Sequence, residues 1–166
     1  MTFQIDDPVV YPACGIGRIV ALVTKTFFEA EARMYYEVAI QKSTVWVPVD
    51  AGPASGLRLL TPKSELARYR SVLRSRPATL ISNPHERRQD LLNRLKAGAF
   101  QDLCEIVRDL TAQSWRKALG EADKLSLRKA REGLCQEWAL VDGVPLVQAM
   151  EEIETLLREA RAAGAV

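Results

Sequence analysis

The periodicity of apolar residues changes once along this chain, near Thr61, and this change constrains the fold more than any other feature. Before it, short apolar segments meet at turn residues, as in Val9-Val10-Tyr11-Pro12-Ala13-Cys14-Gly15-Ile16-Gly17-Arg18-Ile19, where a Pro/Gly turn separates two strands. After it, apolar residues recur every three to four positions, the spacing of amphipathic helices. The sequence therefore predicts an α+β chain, with a β module over residues 1–60 and a helical domain over residues 61–166.

The first part of the chain contains several short segments rich in Val, Ile and aromatic residues. They predict strands over residues 8–11, 16–26, 34–41 and 44–49, with a loop at 51–56 and a last short strand at 57–60. Four or five short strands in so few residues favour a small, strongly bent antiparallel β-barrel.

Residues 44–49 alternate between two kinds of side chain. A strand with a period of two turns the three valines inward and Thr44, Trp46 and Pro48 outward. Pro48 has no N–H to give to a sheet, so it marks an edge or a bulge. Because exposed tryptophans commonly anchor partners, we predict an edge strand that binds another protein. The alternative is that other parts of this chain cover Trp46.

Five helices are expected after Thr61, which the sequence predicts as a helix cap with Pro62 at the first helical position. Each helix carries an apolar stripe. The predicted buried residues are Leu66, Tyr69 and Leu73; Leu91, Leu92 and Leu95; Phe100, Leu103, Cys104, Val107 and Leu110; Leu127, Ala130, Leu134 and Trp138; and Leu146, Met150, Ile153 and Leu157. Trp115 lies off the stripe of its helix.

Positive charge is concentrated in the middle of the chain. Residues 61–96 carry nine basic and three acidic residues, whereas the net charge of the whole chain is only +2. Arg87 and Arg88 open the second helix, and Lys124 with Arg128 lie one turn apart in the fourth. These pairs could contact phosphates, helped by backbone N–H groups at the helix start. The alternative is a solvated basic surface.

The chain has few of the residues that catalysis requires. His85 is the only histidine, and Cys14, Cys104 and Cys135 form no CxxC pair. The sequence has no glycine-rich phosphate loop. We therefore expect no enzyme activity, metal, cofactor or small-molecule substrate. No apolar run approaches the ~20 residues of a membrane span. We expect a cytoplasmic, monomeric protein with reduced thiols.

Several motifs, in this order and spacing, resemble the CarD/CdnL family of bacterial RNA polymerase-binding transcription regulators. They are Asp7-Pro8-Val9-Val10-Tyr11-Pro12, Gly15-Ile16-Gly17, Tyr36, Val47-Pro48-Val49, Gly56-Leu57-Arg58, Leu95-Lys96-Ala97-Gly98, Glu105-Ile106-Val107-Arg108-Asp109-Leu110, and Lys124 with Leu127-Arg128-Lys129-Ala130-Arg131. The resemblance covers nearly the whole chain.

This resemblance implies a Tudor/SH3-like N-terminal barrel that pairs with the β subunit of RNA polymerase. The matching contact positions are Lys25, Thr44, Trp46 and Pro48. It also implies a helical bundle that contacts promoter DNA upstream of the −10 element, where a tryptophan wedge stabilises the open complex.

The chain departs from the family pattern at this wedge. Where the family has Asn-Trp-x-Arg-Arg, it has Asn83-Pro84-His85-Glu86-Arg87, so Pro84 replaces the tryptophan. The predicted DNA-binding residues are Pro84, His85, Arg87, Arg88, Lys124 and Arg128. Three alternatives remain: a polymerase-binding module without productive DNA contact, a basic nucleic-acid-binding protein without polymerase contact, and a hydrolase that uses His85.

Overall fold

The chain forms two compact units. The structure, a computed structural model, describes residues 3–12, 14–28 and 31–164, so Ala13 of the predicted Pro/Gly turn lies outside the described residues. The units are Met1–Leu60 and Thr61–Val166, and each has its own apolar core. The α+β class predicted from the sequence is confirmed.

The first unit contains a single antiparallel sheet in its described part. Its strands are β1 (Pro8–Tyr11), β2 (Gly15–Lys25), β3 (Arg33–Ile40), β4 (Ser43–Pro48) and β5 (Arg58–Leu59). Their order is β4-β3-β2-β1-β5, so β4 and β5 are opposite edges and the sheet is not closed. The predicted barrel is therefore an open sheet. A register shift between Ile19 and Ala21 in β2 adds local bending.

The sheet buries one face. Its core includes Val9, Ile19 and Val38, and the ring of Phe3 meets the ring of Tyr36 edge-on at 5.3 Å. Gly17 is required at this point, because a Cβ there would overlap the backbone carbonyl of Ala39 on β3. The close approach of β2 and β3 thus explains one glycine of the Pro/Gly segment.

The segment after β4 differs from the prediction. Residues predicted as a loop belong to a 3₁₀ helix over Val49–Ser55. Val49 packs against the sheet core, and Arg33 on β3 forms a 2.6 Å ion pair with Asp50. These tertiary contacts stabilise a helical turn that composition alone does not indicate.

The second unit contains the five predicted helices. They are α1 (Leu66–Arg74), α2 (Pro84–Ala97), α3 (Phe100–Arg116), α4 (Glu121–Asp142) and α5 (Leu146–Ala162), with a 3₁₀ turn over Lys63–Glu65 before α1. In the described part of the chain, no helix has the length and apolarity needed to cross a bilayer.

The predicted cap at Thr61 is wrong. Its hydroxyl and its backbone N–H both donate to Oε2 of Glu137 in α4, at 2.6 and 3.0 Å. The residue that precedes the first helical turn is instead Pro62. Thr61 therefore ties the start of the second unit to the middle of α4.

The core of this unit follows the predicted stripes in α1 and α3, but not everywhere. Trp138 is fully buried, as predicted, whereas Leu92, Leu146 and Met150 are exposed. The α5 helix packs on α1 and α4 through a face that includes Ala149 and Ile153. The buried stripe of α5 is thus rotated from the predicted one.

Candidate protein-binding edge and nucleic-acid interface

The β4 strand has one side free of pairing among the described residues. A two-residue turn joins β3 to β4, and Ile40 lies opposite Ser43. Residues that flank such a turn exchange hydrogen bonds, and bonded pairs then alternate along the ladder. Val45 and Val47 therefore bond to β3, while the N–H and C=O groups of the residues between them point to the open side.

Those intervening residues are Thr44, Trp46 and Pro48, whose side chains were predicted to face outward. The open side of β4 therefore offers the N–H groups of Thr44 and Trp46 as donors. Pro48 occupies the next outward position, where its missing N–H costs no bond within the sheet. The edge assignment that Pro48 predicted is confirmed by the strand order.

The indole of Trp46 is held in place on the outer face of this edge. Its Nε1 donates to Oε1 of Glu37 at 3.2 Å, and Nζ of Lys25 lies 4.2 Å from the ring centroid. Phe27 contacts it obliquely, at 6.3 Å between ring centroids. Trp46 nevertheless stays 36% exposed. A fixed, partly exposed indole is a typical anchor for a partner.

The start of α2 is capped by its own sequence. Asn83 is the N-cap, Pro84 is the first helical residue, and Oδ1 of Asn83 accepts the N–H groups of His85 and Glu86 at 2.9 and 3.0 Å. The cap therefore already satisfies these two N–H groups, and the predicted phosphate contact at this helix start rests on the neighbouring side chains. The side chains of Pro84 and His85 are exposed beside it.

Arg87 is engaged within the unit. Its guanidinium donates to both carboxylate oxygens of Asp123, at 3.3 and 3.0 Å, and to the Ile81 carbonyl at 2.8 Å. The side chains of Arg87 and Asp123 are only 20% and 11% exposed. Because Asp123 lies in the first turn of α4, this pair joins the starts of α2 and α4. The sequence analysis missed Asp123, and no local pattern singles it out.

The remaining predicted cations are exposed. Arg88 and Arg128 form no ion pair with any described residue, and Lys124 lies 3.4 Å from Glu121 in a solvent-exposed pair. The Arg87–Asp123 bond brings the helix starts that carry these residues together. Of the predicted cations, Arg88, Lys124 and Arg128 therefore remain available to a polyanion.

Ion pairs also neutralise much of the positive run at 61–96. Five of its nine cations contact carboxylates: Arg68, Arg70, Arg74, Arg87 and Arg94. Most of these carboxylates belong to residues in the range 97–166, outside the positive run. The cations of this run that form no ion pair with described residues are Lys63, Arg76, Arg88 and Lys96. The charge excess along the sequence therefore overstates the charge presented at the surface.

Comparison with known proteins places both units in one family. The description "CarD-like/TRCF RID domain" matches residues 3–61, and "CarD, C-terminal domain" matches residues 69–154. A Bacillus subtilis (strain 168) protein named "Putative transcription factor YdeB" is 31% identical over 144 residues, which cover 86% of this chain and 94% of that protein. The chain belongs to the CarD family. This CarD protein is accordingly a transcription regulator, as the resemblance implied.

Two of the three cysteines of this CarD protein are buried in the helical unit. Burial raises the pKa of the Cys104 thiol well above its usual value, and the nearby charge of Glu137 adds to the effect. Burial also raises the pKa of Cys135. Thiols held in the neutral form are poor nucleophiles. Among the described residues, no group of three or more His, Cys, Asp or Glu is placed to hold a metal ion.

Proposed function

We propose that this CarD family member binds the β subunit of RNA polymerase through β4 and contacts promoter DNA near the upstream edge of the bubble. The observation that carries the proposal is the open side of β4, where Thr44 and Trp46 offer N–H groups beside a fixed indole. The match of residues 3–61 to the CarD-like/TRCF RID domain supports polymerase binding by the sheet unit as a whole.

The geometry suits a partner that adds one strand to the sheet. An extended segment alongside β4 would accept hydrogen bonds from Thr44 and Trp46 and donate to carbonyls on the same side. Beyond Trp46 the next outward residue is Pro48, so the donors end there. The indole of Trp46, with Lys25 over its ring, would pack against side chains of the added strand.

The decisive variant for this edge is Thr44→Pro, which removes an outward N–H and leaves the bonds from Val45 and Val47 to β3 intact. We expect about tenfold weaker binding to the isolated β-subunit lobe by calorimetry, because one lost hydrogen bond with an unpaired acceptor costs about 1–2 kcal/mol. The matched control is Thr44→Val, which keeps the N–H and should bind within about twofold of the wild type.

Equal affinity of Thr44→Pro and Thr44→Val for the lobe would reject strand addition. Trp46→Ala, measured in the same way, should weaken binding by more than about tenfold, because buried anchor residues dominate interface energies. Unchanged binding of Trp46→Ala would reject the assigned face. Far-ultraviolet circular dichroism establishes that each variant is folded.

The contact with DNA is proposed for the exposed cations of α2 and of the first two turns of α4. Arg88, Lys124 and Arg128 supply about three phosphate contacts, too few for tight binding by the chain alone. A polymerase-bound protein needs less affinity, since its tether raises the local DNA concentration. Binding the open complex better than the closed one would shift the population of promoters toward the open state.

A second candidate function is polymerase binding without productive DNA contact. It is favoured by Pro84 in place of the wedge tryptophan and by the engagement of Arg87 with Asp123. The lifetime of open complexes on a promoter separates the two functions. We expect Arg88→Glu to shorten that lifetime several-fold relative to the wild type. The control Lys96→Glu, with the same charge change at the far end of α2, should leave the lifetime unchanged.

The lifetime without the added protein completes the comparison. Polymerase binding without productive DNA contact is correct if two results hold. The open-complex lifetime without added protein equals the lifetimes with the wild type and with Arg88→Glu, and Thr44→Pro still weakens binding to the β-subunit lobe. If the lifetime without added protein is shorter than with the wild type and Arg88→Glu removes the difference, then the contact with DNA is supported.

A further inference from the structure

An apolar groove runs between α4 and α5 of the helical unit. Its volume is about 490 Å³, and its apolar lining comes from Leu127 and Cys135 on α4 and from Leu146 and Met150 on α5. Leu146 and Met150 were predicted to be buried, yet they are 46% and 45% exposed. The groove exists because α5 buries the face that includes Ala149 and Ile153 instead.

The apolar surface continues toward the turn that joins the two helices. Ala139, Leu140 and Val144 line a second, shallower depression that shares Leu146 with the groove. Leu140 is 56% exposed. Contiguous apolar surface of this kind is typical of sites that bind another molecule.

Charge is distributed unevenly around this groove. Lys124, Arg128 and Arg131 line it together with one carboxylate, Glu132. Arg128 forms no ion pair with a described residue, and Arg131 donates to the hydroxyl of Thr111 rather than to a carboxylate. The end of the groove near the start of α4 is therefore cationic, whereas the end near the turn is apolar.

These features identify the kind of partner. The walls of the groove are helices, whose backbone groups are already paired, so a strand would find no edge to join. A helix satisfies its own backbone and can lay an apolar face into such a groove. The lining from Lys124 to Ala139 is about 22 Å long, the length of about 15 helical residues. The three cations favour carboxylates beside the apolar face of the guest.

We propose that the α4–α5 groove binds an acidic amphipathic α-helix of a partner protein. The guest places apolar side chains at i, i+4 and i+7 against Leu127, Leu146 and Met150, and its carboxylates meet Arg128 and Arg131. Because Lys124 and Arg128 are also proposed to contact DNA, the guest helix and DNA compete for them. The groove itself does not depend on the proposed contact with DNA, and its binding is measured without DNA or polymerase.

The experiment uses the full chain and a fluorescein-labelled 18-residue peptide of Leu, Ala and Glu, with leucines at i, i+4, i+7 and i+11. We expect saturable binding by fluorescence anisotropy, with amide shift changes concentrated in the lining segments of α4 and α5. A peptide with lysines in place of the glutamates keeps the apolar face and should bind at least about tenfold more weakly. A scrambled acidic peptide should not bind.

Two pairs of variants map the site. Met150→Asp should weaken binding of the acidic peptide about tenfold, whereas Val147→Asp, on the same helix but outside the lining, should not. Arg128→Glu should weaken it several-fold, whereas Lys129→Glu makes the same charge change at a neighbouring exposed residue and should have no effect. The affected residues are exposed, so the variants should remain folded.

Three results would overturn the proposal. One is equal binding of the acidic and basic peptides, and another is an equal effect of Met150→Asp and Val147→Asp. The third is that double-stranded DNA shifts the amides of this groove while the acidic peptide does not, because the cations then serve a nucleic acid. None of these results depends on polymerase binding by β4, so failure here is distinct from failure of the proposed function.

Discussion

Glu137 is an unusual residue for a protein core, a carboxyl group only 1% exposed in the middle of α4. Burial of a carboxyl group is costly unless its oxygens are hydrogen bonded. Thr61 supplies two of those bonds, from 76 positions away in the sequence. Trp138, the next residue, is the opposite case, because its buried Nε1 has no hydrogen-bond partner among the described residues. The packing of the Trp138 ring against Phe100 offsets the cost of burying this N–H group.

The bond from Thr61 to Glu137 predicts a stability difference between two small substitutions. Thr61→Val keeps the shape but removes the hydroxyl donor, so we expect a loss of about 1–3 kcal/mol in the free energy of unfolding. Thr61→Ser keeps the donor and should lose less than about 1 kcal/mol. Urea unfolding measures both, and equal values for Val and Ser would mean that this hydrogen bond adds no stability.

Single residues were predictable where the decisive interaction is local. The outward direction of Trp46 follows from the period of two in its own strand. Arg87 and Arg88 likewise lie near the start of α2, as predicted. Thr61 was misassigned because a threonine before a proline suits a helix cap, and its partner in α4 is not visible in the local sequence. Asp123 was missed for the same reason.

At the scale of elements, the turn between β3 and β4 determines which backbone groups β4 presents. Its first residue, Gln41, has a φ of +54°. Side chains with a Cβ adopt this left-handed region only at a cost, and glycine is preferred there. The register that exposes Thr44, Trp46 and Pro48 is therefore maintained by the ladder despite a strained turn.

Gln41→Gly should relieve this strain. We expect the sheet unit to gain about 0.5–1 kcal/mol in the free energy of unfolding, because relief of the left-handed backbone exceeds the added entropy of the unfolded chain. Native-state hydrogen exchange of the backbone amides in β2 and β3 measures the change. Lys42→Gly is the matched control: Lys42 is not among the residues with positive φ, so this substitution should destabilise. A loss of stability in Gln41→Gly equal to that in Lys42→Gly would contradict the role of the turn.

Elements themselves were more predictable than the faces they bury. Strand ends were placed within about one residue, because turn residues bound each strand. The α5 helix was predicted, but only part of its buried face: Ile153 and Leu157 are buried as predicted, whereas Leu146 and Met150 are exposed. Two overlapping apolar stripes run along it, and the one with Ala149 and Ala160 packs inward. Contacts with the neighbouring helices decide which stripe is buried, so a pattern that favours large residues predicts burial of Leu146 and Met150, which are exposed.

For the whole molecule, the division at Thr61 separates two cores of different size. The core of the helical unit includes Leu66, Leu110 and Trp138, whereas the sheet unit relies on a smaller set around Val9 and Val38. Domains of about 60 residues bury a smaller fraction of their surface on folding than larger domains do, and they are only marginally stable. The ion pairs that neutralise the run at 61–96 are internal to the helical unit.

This division predicts that residues 61–166 fold alone. We expect the fragment to be helical by circular dichroism and to unfold in one cooperative thermal transition, because its apolar core and its bond between Thr61 and Glu137 are complete. A fragment that starts at residue 66 lacks Thr61 and should melt several degrees lower. A broad, non-cooperative transition of the fragment 61–166 would show that the unit depends on the sheet.

Pro48 has a last consequence for how this protein behaves in concentrated solution. An edge strand that can pair with a partner can also pair with the same strand of another copy, and repeated pairing of this kind leads to fibrils. Because Pro48 has no N–H group, an added strand finds no donor on the open side of β4 at the position after Trp46. Such a strand forms few hydrogen bonds, and the addition of further copies is disfavoured. Pro48 therefore limits both the strand pairing with a partner and the self-assembly of the protein. Pro48→Val would add one N–H donor to the edge of β4 and would also raise the tendency to aggregate.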